Sequence, residues 1–329
     1  MSVDVSLGDG VVVALSDGRR VVCDGDADGD VTVLSHAHGD HLTEERPEPL
    51  VCSPLTAALA EERRDLEEPL TPDDHPDVEL RPAGHVVGSR AAYVTDPDTG
   101  RTVCYTGDVC TRDRLYLEGF DPEPADDLVI ETTYGTPAYR FPPTDVVLGE
   151  IREWLRETLG EVVLLFGYSL GRAQKLQRLA VEAGRDRVFV TDAIAGINDV
   201  VAAHRDVSFP VQRYESAVTP EPGDAVVLPM QTNRLSFVDR LVEETGGLKA
   251  GFSGWAVDRS FEYRGEYDVT FPLSDHCDFA ELERVVEAVD PERVFTHHGA
   301  NEAFARHVQA AFDVRSRALK RDQRTLAEF

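Results

Sequence analysis

The chain has 329 residues, enough for a large core or two lobes, and its hydrophobic fraction of 42% is that of a globular protein. No apolar run could span a bilayer, and the first eight residues lack the features of a signal peptide, so we expect a cytoplasmic protein with no membrane partner. The net charge of −28 is typical of a halophile, and it excludes polyanion binding through bulk charge alone.

Short strands separated by Asp-Gly turns dominate the first part of the chain. Val11–Leu15, Arg20–Cys23 and Val31–Leu34 are β-rich, and Leu55–Arg64 has the composition of a helix. Three further strands are predicted at Ala91–Thr95, Thr102–Tyr105 and Leu128–Ile130, before the pattern of short strands ends.

Strands alternate with helices after Gly135, which predicts a mostly parallel sheet. The helices are Asp145–Leu159, with Thr144 as N-cap, and Arg172–Ala183. The strands are Val162–Phe166, Val188–Thr191, Asp224–Leu228 and Leu248–Phe252. Short strands and a helix, Phe279–Val289, then return. We therefore predict a first domain made of residues 1–140 and 261–329, interrupted by an α/β insertion at 141–260.

Four ligand-type side chains lie within six positions directly after the Val31–Leu34 strand. Residues two apart in an extended segment point the same way, so His36 and His38 can bind one metal. The turn at Gly39 then lets Asp40 and His41 face a second metal. Imidazole and carboxylate ligands together favour zinc, with manganese or iron as alternatives.

Two later fragments complete this set. Pro82-Ala83-Gly84-His85 adds a histidine, and Tyr105-Thr106-Gly107-Asp108 places a carboxylate where it could bridge two cations. Each residue taken singly has a plainer interpretation, His85 as a loop histidine and Asp108 as a turn cap. Their combination with the 36–41 cluster predicts a single metal centre.

The combined pattern resembles the metallo-β-lactamase superfamily. The segment 36–41 matches its H-x-H-x-D-H motif, His85 its third motif and Asp108 its fourth. Asp24 matches the early aspartate that supports the site, with Asp26 as the alternative. The implied ligands are His36, His38, His85 and Asp108 for one Zn²⁺, and Asp40, His41, Asp108 and His298 for a second.

Three later segments resemble motifs A, B and C of the β-CASP nucleases within this superfamily, at 129–135, 273–278 and 295–299. The chain is most similar to the compact exonuclease-like proteins, described as mRNA 3′-end-processing-factor-like or DNA-ligase-associated. This resemblance implies an αββα sandwich with an inserted β-CASP α/β domain of mostly parallel sheet. In motif C, His298 precedes the glycine and is the aligned ligand, with His297 as the alternative.

The resemblance implies a two-metal hydrolysis in which Asp40, Glu131 and His276 are catalytic. Two metals about 3.5–4 Å apart can hold a hydroxide and a phosphate in line. A histidine supported by a carboxylate can give the leaving oxygen its proton, and His276 with Glu131 fits that role. The predicted substrate is RNA or single-stranded DNA, and the predicted setting is RNA processing or DNA repair.

Substrate contacts are predicted at Ser169, Gly171 and Arg172, where a strand meets a helix N-terminus that favours phosphate. Trp255 could stack on a base. The plainer interpretations are a serine-capped turn and a core aromatic. Arg315 begins a basic stretch that extends to Arg324 and lies either against substrate or on a solvated helix.

Two other functions stay open on the sequence alone. A thioester or lactone hydrolase of the same superfamily would explain the 36–41 cluster but gives no role to Glu131, His276 or the insertion. A non-catalytic nucleic-acid-binding factor would be expected to lack ligands, whereas every ligand position here is filled. A homodimer is also left open.

Overall fold

The computed structural model describes residues 3–43, 47–64, 66 and 68–320. The chain forms two compact units. The first consists of the chain up to Asp113, Leu117–Ala138 and the chain from His276, and the second of Arg114–Tyr116 and Tyr139–Asp275. Both contain helices and strands, so the predicted α/β class is confirmed. Within the described ranges no helix is both long and apolar enough to cross a membrane.

The first unit contains two sheets. The first sheet runs in the order β1 (Asp4–Gly8), β2 (Gly10–Ala14), β3 (Arg20–Cys23), β4 (Val31–Val33) and β5 (Leu50–Val51). The second has the order β17-β16-β9-β8-β7-β6, with β6 at Val78–Pro82, β7 at Arg90–Thr95, β8 at Thr102–Tyr105, β9 at Asp127–Glu131, β16 at Arg293–His297 and β17 at Arg315–Ala318. Alternate apolar residues of both sheets share one core, so the two sheets pack face to face.

Among the described residues of the first unit, three helices are present: α1 (Pro54–Arg64), α7 (Phe279–Val289) and α8 (Asn301–Ala311). The apolar faces of α7 and α8 pack on the side of the second sheet that faces away from the first sheet. Strand β9 lies between β8 and β16 and is parallel to both. Their carboxyl ends therefore lie at one edge of the sheet, which is where functional side chains of such sheets collect.

The second unit is built on one parallel sheet in the order β12-β11-β13-β10-β14-β15. Its strands are β10 (Val163–Gly167), β11 (Val188–Val190), β12 (Gln212–Arg213), β13 (Ala225–Pro229), β14 (Leu248–Phe252) and β15 (Val269–Phe271), and its helices are α2 (Thr144–Glu157), α3 (Arg172–Glu182), α4 (Asp192–His204), α5 (Ser236–Thr245) and α6 (Ser260–Gly265). Helices α2 and α3 cover one face of the sheet and α5 the other. Because the central strands are covered on both faces, they are continuous apolar runs.

Three of the sequence-based expectations differ from the structure as follows. Helix α2 already includes Thr144, and its N-cap is Pro143, which has no side-chain oxygen to accept the cap hydrogen bond. The second unit continues to Asp275 rather than ending at residue 260, because β15 pairs with β14. The basic stretch starting at Arg315 is strand β17 rather than a helix, and its end at 321–324 lies outside the described residues.

Candidate metal centre

The predicted ligands lie at the ends of strands in the first unit. His36, His38 and His41 follow β4, and Asp108 follows β8. Glu131 is the last residue of β9, while His298 comes directly after β16. Because β8, β9 and β16 are parallel neighbours, Asp108, Glu131 and His298 meet at one edge of the second sheet.

Two glycines allow the chain to approach the centre closely. Gly84, before His85, has φ +72°, and a Cβ added there would lie 2.1 Å from the carbonyl oxygen of Cys110. Gly107, before Asp108, has φ +54°, and an added Cβ would lie 2.7 Å from the Ser35 side chain. Only a residue without a Cβ fits either position without displacing its neighbours.

Four donor atoms form the first group: His36 Nε2, His38 Nδ1, His85 Nε2 and Asp108 Oδ2. His38 Nδ1 lies 3.1 Å from both His36 Nε2 and His85 Nε2. Asp108 Oδ2 lies 3.5 Å from the same two nitrogens. Donors bound tetrahedrally to zinc at about 2.0–2.1 Å would be about 3.3–3.4 Å apart. The arrangement and the chemistry of these four donors therefore fit a zinc ion.

A second donor group shares Asp108 and adds His41 and His298. His41 Nε2 lies 3.7 Å from Asp108 Oδ2, which places one carboxylate oxygen beside both groups. Of the paired histidines in motif C, it is His298 that joins this group; His297 is buried and its ring stacks on Tyr105. The two groups together fit a pair of cations bridged by one carboxylate.

Asp40 is placed differently from the other predicted ligands. Its side chain is 74% exposed, and Oδ2 lies 3.8 Å from His41 Nε2. Among the described residues it belongs to none of the donor groups that could hold a metal. Its predicted roles as ligand and catalytic residue therefore stay predictions.

Asp24 supports the centre from behind. One of its oxygens accepts hydrogen bonds from His41 Nδ1 and the Tyr105 hydroxyl, each at 2.8 Å, while the backbone and hydroxyl of Ser35 donate to its carboxylate. A carboxylate behind a ligating histidine fixes the tautomer and ring orientation. Ser35 Oγ in turn lies 2.9 Å from His36 Nδ1. The ligand nitrogens facing the centre are thus set by groups on the opposite side of each ring.

Glu131 and His276 form a buried pair beside these groups. Glu131 Oε1 lies 3.0 Å from His276 Nδ1, and Oε2 accepts the backbone N–H of Thr133 at 2.8 Å. Burial would raise the pKa of the Glu131 carboxyl, but His276 outweighs it and keeps that pKa below its usual value. Because both carboxylate oxygens are already hydrogen-bonded, Glu131 is better suited to orienting His276 than to binding a metal.

The pKa values of two of the ligands, His36 and His41, are shifted in opposite directions by their surroundings. Burial, together with the neighbouring histidines, holds the pKa of His36 well below its usual value, so His36 is the neutral ligand form. Burial acts the same way on His41, yet Asp108 and Asp24 outweigh it and raise the pKa of His41 to about 10. A cation bound at His41 would displace that proton.

The predicted substrate residues lie in the second unit, three of them at the start of α3 and Trp255 after β14. The N-cap of α3 is Gly171 rather than a serine, and its N–H donates to Gln174 Oε1 at 2.7 Å. Arg172 is buried, with Nη2 3.1 Å from Asp275 Oδ2. Ser169 is half-buried, and Trp255 is 37% exposed. The contacts of Ser169, Gly171, Arg172 and Trp255 with substrate stay predictions.

Several residues of the centre were not predicted from the sequence. Tyr105 supports Asp24, and Arg112 with Glu281 lies behind His276. Tyr105 opens the Tyr-Thr-Gly-Asp segment, so its position was a usable signal. Nothing in the spacing of Arg112 and Glu281 relates them to each other or to the motifs.

No protein-family model matches the chain. A protein from Opitutus terrae named a probable DNA ligase is 36% identical over 285 residues, covering 83% of this chain and 27% of that protein. A probable RNase from Methanocaldococcus jannaschii is 32% identical over 36% of this chain and 28% of its own length. A DNA cross-link repair 1A protein from Mus musculus is 22% identical over 79% of this chain and 28% of its own length.

The chain thus spans little more than a quarter of the length of each of these curated relatives. The names of these proteins fit the nuclease family that the motifs resemble. A crystal structure of an Enterococcus faecalis protein of unknown function has a TM-score of 0.61 and 13% identity, over 91% of this chain and 94% of that one. That likeness concerns the fold.

Proposed function

We propose that this chain is a metal-dependent phosphodiesterase of the metallo-β-lactamase superfamily, a β-CASP nuclease that hydrolyses RNA or single-stranded DNA with two bound zinc ions. One observation carries the proposal. A group of four donors, a second group sharing Asp108, and the Glu131–His276 pair meet in the first unit. A thioester or lactone hydrolase would use the two donor groups but has no need of that pair.

The proposed chemistry assigns a task to each of these residues. Two divalent cations at the donor groups would activate a water and neutralise the charge of a phosphodiester. Asp108 would hold both cations, while Asp24 and Ser35 keep the His41 and His36 rings in their ligating orientation. His276 would give its proton to the leaving oxygen through Nε2, since Glu131 occupies Nδ1.

The choice of a polynucleotide substrate is supported by the relatives, whose names divide between DNA and RNA. The match to part of a probable DNA ligase favours a nuclease module that prepares ends for joining, and the RNase match favours RNA. We propose that the second unit is the β-CASP insertion, which contacts the strand through Ser169, Gly171, Arg172 and Trp255. Since the net charge is −28, these local contacts would replace a basic surface.

The test is cleavage of 5′-labelled single strands of RNA and DNA that share one sequence, in concentrated KCl with Zn²⁺ or Mn²⁺. We expect chelation to abolish cleavage and His276→Ala to slow it by about 10²–10⁴-fold, the range for a general acid. The product ladder separates RNA from DNA and terminal from internal cleavage. Sedimentation of the same sample tests the homodimer.

His307→Ala is the matched control, because His307 also pairs with a glutamate, Glu283, at 2.9 Å but lies on α8, outside the donor groups. We expect it to cleave at the wild-type rate. Two bound metals with no cleavage of either strand would overturn the nuclease and direct the search to thioesters and lactones.

A further inference from the structure

Arg112 connects the backbone at His276 to a buried carboxylate. Its Nη2 donates to the carbonyl oxygen of His276 at 2.6 Å, and its Nη1 lies 3.2 Å from Glu281 Oε2. The Arg112 side chain is 17% exposed and that of Glu281 only 3%. The two ends of one planar guanidinium are therefore held by two different groups.

Glu281 is itself rigidly held, because it forms the capping box of α7. Its N–H donates to Asp278 Oδ1 and its Oε2 accepts the N–H of Asp278, both at 2.8 Å. Its Oε1 also accepts the hydroxyl of Thr111 at 3.0 Å. The carboxylate that Arg112 contacts therefore has few conformations open to it, which makes it a firm anchor.

The backbone of the Arg112 segment is tied to both neighbouring parts of the centre. The N–H of Cys277 donates to the carbonyl of Val109 at 2.8 Å. The N–H of Cys110 donates to the carbonyl of Ala83 at 3.0 Å, two residues before His85. The segment after Asp108 thus connects the ligand loop at 83–85 to the peptide that carries His276.

We propose that Arg112 is a positioning residue for His276. Its guanidinium links the carbonyl oxygen of His276 to the carboxylate of Glu281, and this keeps the imidazole ring where it can reach the leaving oxygen. This inference rests on the proposed function. Glu131 fixes the ring of His276 through Nδ1, but a ring fixed at one atom still swings with its backbone. Arg112 fixes that backbone, because its two terminal nitrogens reach the two partners from one rigid plane, whereas a lysine would offer a single nitrogen on a flexible stem.

Kinetics of Arg112→Met, Arg112→Lys and the double variant with His276→Ala test the proposal. We expect Arg112→Met to lower kcat about 10- to 100-fold, the usual loss when a supporting partner is removed, with KM and bound metal unchanged. Arg112→Lys should recover part of kcat. Because Arg112 acts through His276, the double variant should be no slower than His276→Ala alone.

Arg101→Met is the control, since Arg101 also pairs with a buried carboxylate of the first unit, Asp127, and its side chain is similarly covered at 24% exposed. We expect it to leave kcat unchanged. A double variant slower than His276→Ala, or a loss of metal in Arg112→Met, would overturn the proposal by showing that Arg112 acts on something other than His276.

A second readout does not depend on activity. In metal-free protein with ¹³C-labelled histidine, the Cε1 resonance of His276 is identified by its absence in His276→Ala. We expect this resonance to shift or broaden in Arg112→Met and to stay in place in Arg101→Met. An unchanged resonance overturns the positioning role. Failure of the wild-type protein to cleave any strand overturns the proposed function instead, and the resonance still tests the contact.

Discussion

Each unit of the molecule buries a cluster of ionisable side chains, and the two clusters have opposite composition. The first unit collects histidines and carboxylates whose ligand atoms converge. The second unit surrounds one carboxylate, Asp275, with three cations: Lys175 Nζ donates to it, Arg172 Nη2 lies 3.1 Å away and Arg114 Nε 4.0 Å away. All four of these side chains are buried.

This difference separates a site that needs a ligand from one that is complete. In the first cluster the lone pairs of histidine nitrogens and carboxylate oxygens face one another. This arrangement is stabilised only when cations or protons lie between these atoms. In the second cluster each cation faces a carboxylate already present in the chain. Burial, together with the charges of Arg114 and Arg172, outweighs Asp275 and lowers the pKa of Lys175 to about 8. We infer that the first cluster is built to bind cations, whereas the second already contains a carboxylate among its cations.

The largest effect should follow from removing the shared carboxylate of the first cluster. Asp108→Asn keeps the shape but loses the charge that would hold both cations. Because bound metals contribute several kcal/mol to the transition state, we expect the cleavage rate to fall by roughly 10⁴-fold. Metal content by mass spectrometry should fall with it, whereas the exposed Asp121→Asn serves as control. If Asp108→Asn retained two metals, the first cluster would not depend on its shared carboxylate, and the contrast drawn between the two clusters would be wrong.

A smaller effect, on stability rather than activity, is expected for the second cluster. Asp275→Asn leaves three buried cations without their carboxylate, and losing one partner of a buried ion pair costs about 3–5 kcal/mol. Urea unfolding at fixed KCl concentration measures the loss. Asp199→Asn, which removes an exposed partner of Arg213, should change little. Equal stability of Asp275→Asn and wild type would mean that the second cluster is not balanced by Asp275.

The pH dependence of the same two proteins sharpens this prediction. Burial alone would raise the pKa of Asp275, but Lys175, Arg172 and Arg114 outweigh it and hold that pKa well below 3.8. A carboxylate with a depressed pKa contributes stability that is full above pH 3.8 and is lost as the pH falls further. We therefore expect the difference between wild type and Asp275→Asn to shrink on acidification below about pH 4.

The smallest effect is expected for a change of Asp24, which supports the ligand His41 from behind. Asp24→Asn weakens the contact with His41 Nδ1, so we expect binding of one cation to weaken about 10- to 100-fold while the other is retained. Competition with a chelator measures both affinities. The exposed neighbour Asp26 is the natural control, and equal effects of Asp26→Asn and Asp24→Asn would contradict the assignment of Asp24.

The same contrast between the two clusters explains which of their residues could be predicted from the sequence. The residues of the first cluster follow short strands in recognisable local patterns, so His36, His38, His41, His85 and Asp108 could be brought together before the fold was known. The second cluster joins Arg114 and Asp275, far apart in the chain and in no shared motif. Arg172 illustrates that gap: its position at a helix N-terminus predicts a phosphate contact, which stays a prediction, but nothing in the sequence indicates its ion pair with Asp275.

Element types were predictable where apolar periodicity was strong, as in β8, β14 and α7, whose bounds match the predicted ones. Strands β1 and β6 were missed because their strand form depends on neighbours distant in the sequence, whereas α5 was missed although its apolar residues have helical spacing. Strand β17 is the clearest case. Its arginines suggest a solvated helix, yet parallel pairing with β16 makes it the edge of the second sheet.

The order of the second sheet has a consequence for biosynthesis. Strand β9 is buried along its whole length between β8 and β16, but β16 is translated only after the entire second unit. At 5–20 residues per second, the ribosome takes roughly 10–30 s to cross that gap. Throughout that interval β9 has one unpaired edge, the kind of edge on which nascent chains associate. The interrupted first unit therefore relies on β16, which is made after the second unit, to pair the open edge of β9.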